Sequence, residues 1–169
     1  MNRYPLGIQT FEKIREENLF YVDKTDLIYN IVKSSQNNFL SRPRRFGKSL
    51  LVTTMQAYFE GKKDLFKGLA IEKLEKEWVK YPVIHIDLSS GKYYEVQRIM
   101  STLDFLLSRY ELKYDITPRD LSGFGDRFNN IIQTAAAQTG QKVVVLIDEY
   151  DAPMLDSNAK PELQEQIRS

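Results

Sequence analysis

The chain has 169 residues, 42% of them apolar, 12% aromatic and 28% charged, with a formal net charge of +1. That is enough length and apolar content for a packed core, and too little charge imbalance for a nucleic-acid-attracting field spread over the whole molecule. There is no cysteine and a single histidine, His85, which excludes disulfides, thiolate metal centres and a zinc site built from the usual ligands.

The start, MNRYPLGIQTF, lacks the apolar stretch of a secretory signal, and no apolar run reaches bilayer length. A cytoplasmic location without membrane contact is expected. Across residues 26–33, Leu27, Ile28, Ile31 and Val32 recur at helical spacing, with Asp23 upstream as a cap. Asn38 to Ser41 reads as a short strand ending at the loop SRPRRFGKSL, residues 41–50. From 48 to 60, Leu51, Met55, Tyr58 and Phe59 form one apolar helical face, and Gly61 stands where a helix commonly stops.

Pro82 precedes Val83-Ile84-His85-Ile86-Asp87-Leu88, which is too short for a helix and rich in β-branched residues, hence a strand. Helical stripes follow at 94–110 (Val96, Ile99, Met100, Leu103, Leu107, Tyr110) and at 124–137 (Phe128, Ile131, Ile132, Ala135). After Gly140, Val143 to Ile147 is continuously apolar, as expected of a parallel strand buried on both faces, and it ends in Asp148-Glu149. Strands alternating with helices, without repeats or an internal linker, predict an open α/β sheet with ligands gathering beyond the carboxyl ends of its strands.

The loop at 41–50 lies between a predicted strand and a predicted helix. Its end, Gly47-Lys48-Ser49, matches the end of the phosphate-binding pattern G-x-x-x-x-G-K-[ST], but Arg42 stands where the first glycine belongs. Pro43 has no N–H to offer and restricts Arg42 to extended conformations, so the cradle must be shaped differently. Arg42, Arg44 and Arg45 could compensate, because guanidinium groups hold phosphate through paired hydrogen bonds. In this reading Gly47 gives a permissive backbone, Lys48 neutralises phosphate charge and Ser49 takes a place on Mg²⁺. About a hundred residues later, Asp148 is expected to hold the metal shell and Glu149 to polarise the attacking water, as in a Walker B strand. Taken alone, such a tripeptide is more often a basic loop capping a helix, and Asp-Glu after a strand more often a polar turn or cap; the two together, in this order, favour the nucleotide site.

Pro5-Leu6-Gly7-Ile8, Phe11, Ile14 to Asn18, Tyr21 to Thr25, Arg42 to Ser49 and Leu146 to Asp151 resemble the AAA-ATPase-like family of bacterial proteins over nearly the whole chain. In that family the loop is itself written R-P-R-R-F-G-K-S, which implies that Arg42 belongs to the type. The resemblance implies a nucleotide-binding stretch of Arg42, Arg44, Arg45, Phe46, Gly47, Lys48, Ser49 and Leu50, with Lys48 and Glu149 catalytic, Ser49 and Asp148 on Mg²⁺, and ATP as ligand. The fold expected is α/β, a P-loop NTPase-type parallel sheet flanked by helices, incomplete because the chain ends after the Walker B strand.

On this expectation, residues 1–169 are the front portion of such a domain, with an N-terminal extension at 1–37, the P-loop at 41–49 and Walker B at 143–149. The family's restriction-endonuclease-like domain is expected to be absent, so nucleic acid is met only indirectly. An open sheet edge suggests self-association. Asp87 reads as a turn former with Ser89 and Ser90 or as an outer partner of the metal site, Asp151 as a cap or a site residue, and His85 as a packed strand residue. Tyr21 and Asp23 could face a nucleotide base. The rival readings are a nucleotide-gated interaction module without turnover, and a nucleic-acid module using Arg42, Arg44, Arg45 and Lys48.

Overall fold

The structure, a computed structural model, describes residues 3–41, 46–89, 93–117, 123–156 and 164–165. The chain divides into two compact units, Met1–Val83 and Ile84–Ser169, each with its own apolar cluster, although the length would suit a single domain.

The first unit is helical where it is described. It contains α1 (Phe11–Glu16), α2 (Thr25–Ser34), α3 (Lys48–Phe59), a 3-10 turn (Lys63–Phe66) and α4 (Ala70–Leu74). Its core gathers Phe11, Ile28, Ala57, Tyr58, Phe66, Leu69 and Ile71. The Phe66 ring lies at the middle, 4.9 Å from Phe11 and 5.1 Å from Trp78 between centroids.

Polar side chains fix the helix ends. Oδ1 of Asp23 accepts the N–H and hydroxyl of Thr25, and Oδ2 accepts the Ala70 N–H. The Thr25 hydroxyl oxygen accepts the Ile71 N–H, so Asp23 and Thr25, one residue apart from each other across Lys24, tie the starts of α2 and α4 together. α3 stops as its sequence predicts. Gly61 has φ 69, and the Gly61 and Lys62 N–H groups return to the carbonyls of Tyr58 and Ala57, the double bond of a Schellman ending.

One expected strand is missing. Asn38–Ser41 is irregular, with Phe39 74% exposed. Just upstream, the Ser35 hydroxyl accepts the Asn37 N–H, and the Asn38 amide donates to the Ser35 carbonyl. These local bonds compete with a ladder.

The second unit holds β1 (Val83–Asp87, starting at the boundary residue), α5 (Val96–Lys113), α6 (Phe124–Thr139), β2 (Val144–Asp148) and α7 (Ala152–Asp156). β1 and β2 form a two-stranded parallel sheet flanked by helices, an α/β arrangement of P-loop NTPase type. The core takes Ile84, Ile86 and Leu88 from β1, Leu106 and Leu107 from α5, and Ile131 and Ala135 from α6. The α5 stripe differs from its sequence reading, because Met100 stands exposed while Leu106 is buried.

β2 also departs from expectation. Leu146 and Asp148 are buried, but Val145 is 37% and Ile147 52% exposed. Consecutive strand residues point to opposite faces, and the described elements cover only one face of β2.

Candidate functional site

Two places carry the residues singled out in the sequence, one in each unit. In the first, Gly47 precedes α3 in the left-handed region, with φ 75 and ψ 24. Its carbonyl accepts the Leu51 N–H at 3.0 Å, closing the first turn. A Cβ at this position would meet nothing within 4 Å, so the demand for glycine comes from the backbone conformation, worth about 1 kcal/mol against an L side chain. The leading N–H groups of a helix find no intrahelical acceptor, and Gly47 has no side chain with which to cap them. The turn therefore presents backbone donors and the positive end of the helix dipole around Lys48, Ser49 and Leu50. These three are half-buried, while Phe46 is 65% exposed. Arg42, Arg44 and Arg45 lie outside the described residues.

In the second unit, Asp148 is the last residue of β2 and is 5% exposed. Its Oδ1 accepts the N–H of Glu149 at 3.0 Å, and its carbonyl accepts the Leu88 N–H at 3.1 Å, which sets the two strand ends side by side. Glu149 turns out of the strand at φ 53, a conformation that no feature of a glutamate advertises in sequence. Its carbonyl then accepts the Ala152 N–H, and α7 begins. Oδ1 of Asp151 is buried without a hydrogen-bond partner among the described residues. Asp87 takes the turn role, its Oδ1 accepting the Ser89 N–H at 2.8 Å.

His85 is a half-buried strand residue with a feature the sequence did not suggest. The Tyr110 hydroxyl of α5 accepts its N–H at 2.6 Å and donates to its carbonyl at 3.1 Å. In a parallel ladder alternate residues bond to alternate sides. Leu88 faces β2, so His85 faces outward and Tyr110 occupies that edge. A tyrosine on the predicted α5 stripe was the available signal, but its target was not.

Tyr21 and Asp23, considered for base contact, do structural work. The Tyr21 ring packs on Phe11 at 5.2 Å, and burial pushes its phenol above the ordinary range. Burial opposes ionisation of Asp23, yet the hydrogen bonds from Thr25 and Ala70 outweigh it and hold the carboxyl below its ordinary value.

Among the described residues no three His, Asp or Glu side chains gather into a metal cage. Mg²⁺ needs only one or two carboxylates from a protein, because it keeps several waters and takes phosphate oxygens. Asp148 has the chemistry for this, since a buried carboxylate calls for a cation or further donors. No helix among the described residues is long and apolar enough to cross a membrane.

Residues 5–169 match the model of the AAA-ATPase-like family, described as "Predicted AAA-ATPase". The chain is also 39% identical, over 169 residues and 98% of its length, to an Azotobacter chroococcum mcd 1 protein described as "Uncharacterized protein in vnfD 5'region". It spans 32% of that relative's length. No solved structure matches.

Proposed function

The chain belongs to the AAA-ATPase-like family, and from that premise we propose that it binds Mg²⁺-ATP through residues 42–50 and serves ATP hydrolysis within a longer protein. The observation that carries this reading is Gly47, left-handed and immediately ahead of Lys48-Ser49 at the start of a 12-residue helix.

Residues of both units have parts in the proposal. Backbone N–H groups at the start of α3 and the Lys48 ammonium hold phosphate oxygens, and the three loop arginines add charge where the pattern lacks its first glycine. The Ser49 hydroxyl and the Asp148 carboxylate would hold the metal. When bound, Mg²⁺ neutralises charge building on the phosphate oxygens. Glu149 accepts a proton from the attacking water, and the bond to the terminal phosphoryl group breaks in line with that attack.

Further proposals follow from the family and the second unit. Self-association through the sheet edge is assigned to the β2 side, because Tyr110 occupies the outer edge of β1 at His85 while β2 pairs with β1 alone among the described residues. A cytoplasmic setting and a nuclease-like domain further along the longer protein complete the proposal.

Calorimetric titration of the chain with Mg²⁺-ATP, beside its Lys48→Ala variant, tests the binding step. Loss of a charge-assisted contact is expected to weaken binding by roughly tenfold or more. No heat from the unmodified chain overturns the reading. In the longer protein, Glu149→Gln is expected to keep binding and to lower turnover by about a hundredfold or more. Turnover that survives this change removes the base assignment.

A further inference from the structure

We infer that Thr53 is a positioning residue for the phosphate turn, joining residues 9–11 to the first turn of α3. The inference rests on the nucleotide reading above and deepens it.

Thr53 follows Ser49 by four residues and so lies one turn further along the same side of α3. Its Oγ1 accepts the Phe11 N–H at 3.1 Å, and two carbonyl oxygens, those of Gln9 and Leu50, each lie 3.1 Å away. A hydroxyl carries one proton. It can serve the N-terminal segment or the first turn of α3 at full strength, but not both. Leu50 keeps a partner in either case, because its carbonyl also accepts the Thr54 hydroxyl at 2.7 Å.

On the other side of this link, the Phe11 N–H opens α1, and Thr10, the residue in the cap position, makes no side-chain cap. Thr53 takes over that task from across the unit, and the Phe11 side chain beyond it is fully buried. α1 is fastened elsewhere by separate contacts. The Arg15 guanidinium donates to the carbonyls of Leu65 at 2.7 Å and Lys67 at 2.6 Å, and Glu12 pairs with Lys62 at 3.0 Å. One end of the Thr53 link is thus held by the core, and the other is the carbonyl of the residue next to Ser49. A ligand that draws in the α3 amides changes the balance between the two carbonyls and, with it, the strength of the Phe11 hydrogen bond. Coupling of this kind is reciprocal.

The test is hydrogen exchange at the Phe11 amide, with and without saturating Mg²⁺-ATP, together with ATP affinity and thermal stability of Thr53→Val, Thr53→Ser and Glu12→Gln. Mg²⁺-ATP is expected to change exchange at Phe11 in the unmodified chain. Thr53→Val, nearly the same shape without the hydroxyl, is expected to bind roughly tenfold more weakly and to lose the ATP-dependent change, while Thr53→Ser restores both. Glu12→Gln loosens α1 at a contact away from Thr53 and is expected to lower stability with ATP affinity kept. An unchanged Phe11 amide in an ATP-binding chain overturns the inference without any variant. Equal weakening by Glu12→Gln and Thr53→Val overturns it too, because a loss of stability then accounts for both. A chain that binds no Mg²⁺-ATP overturns the nucleotide reading, and this inference with it.

Discussion

The two units differ in charge, and each is held together internally by different means. Residues 1–83 carry 15 Lys and Arg against 10 Asp and Glu, while residues 84–169 carry 9 against 13. The surplus of cations falls in the unit that holds Lys48 and the surplus of carboxylates in the unit that holds Asp148 and Glu149, so a whole-chain net charge of +1 hides both. Short helices in the first unit are fastened by polar side chains reaching distant backbone, as Asp23, Thr25, Thr53 and Arg15 do. Long amphipathic helices in the second pack on a sheet, and Arg127 bridges α6 to Asp104 and Glu111 of α5. A net charge describes a fold only when it is read unit by unit.

The largest test of this contrast is core truncation. Phe66→Ala removes the ring at the centre of the aromatic cluster and is expected to cost about 3–5 kcal/mol. Trp78, the single tryptophan, packs at a tilt against Phe66 and reports the loss by fluorescence. Ile131→Ala in the second unit is expected to cost about 2–5 kcal/mol, read by circular dichroism of α5 and α6. The two clusters share no member, so Ile131→Ala is expected to leave the Trp78 transition in place. A common shift in both probes would show instead that the units unfold as one. Next in size is Arg127→Ala. It leaves the Glu111 carboxylate, 7% exposed, without its paired donor, at a cost of about 2 kcal/mol in the same dichroism measurement.

What the sequence made legible follows the length of the elements. α3, α5, α6 and both strands of the sheet carry enough periodic or continuous apolar residues to be read directly. α1, α4 and α7 have six, five and five residues, less than two turns, and leave no periodic signal. The supposed strand at 38–41 failed because its apolar pair, Phe39 and Leu40, said nothing about a partner, whereas the Ser35 bonds that displaced it are local. For β2, a continuous apolar run indicated two buried faces, yet burial depends on what covers the strand. The same contrast runs through the candidate residues. Gly47-Lys48-Ser49 and Asp148-Glu149 are contiguous and readable, but the Thr53 link joins residues 42 apart, and only the unusual neighbouring hydroxyls Thr53-Thr54 inside a helix hinted at it.

A smaller effect separates the units by pH. Burial favours the neutral form of Glu75, but the Tyr58 hydroxyl, the Glu77 and Lys76 N–H groups and Lys33 outweigh it and hold the carboxyl below its ordinary 4.5. Asp23 is likewise held below 3.8. Carboxylates with lowered folded values contribute stability that is complete above their unfolded values and lost as pH falls through the folded ones. Trp78 fluorescence in the unmodified chain is therefore expected to be steady above about pH 5 and to fall below about pH 4. Tyr58→Phe removes the shortest of the Glu75 bonds. It is expected to cost about 1–2 kcal/mol and to move the acid transition upward, and an unmoved transition would assign acid sensitivity to other carboxylates.

The smallest predicted change concerns the outer edge of β1. Tyr110→Phe keeps the ring on the α5 stripe but takes away the hydroxyl that satisfies both outward backbone groups of His85. The stability cost is expected to be about 1 kcal/mol, because water can replace a bond at a half-buried edge. The informative quantity is the His85 amide, whose exchange is expected to quicken while that of Ile86 and Leu88, on the β2 side, does not. If Tyr110 is what closes this edge, the variant also offers a new strand surface and is expected to self-associate more readily than the unmodified chain on a sizing column. Unchanged association, with the amide exposed, would place the control of sheet growth on the β2 side alone.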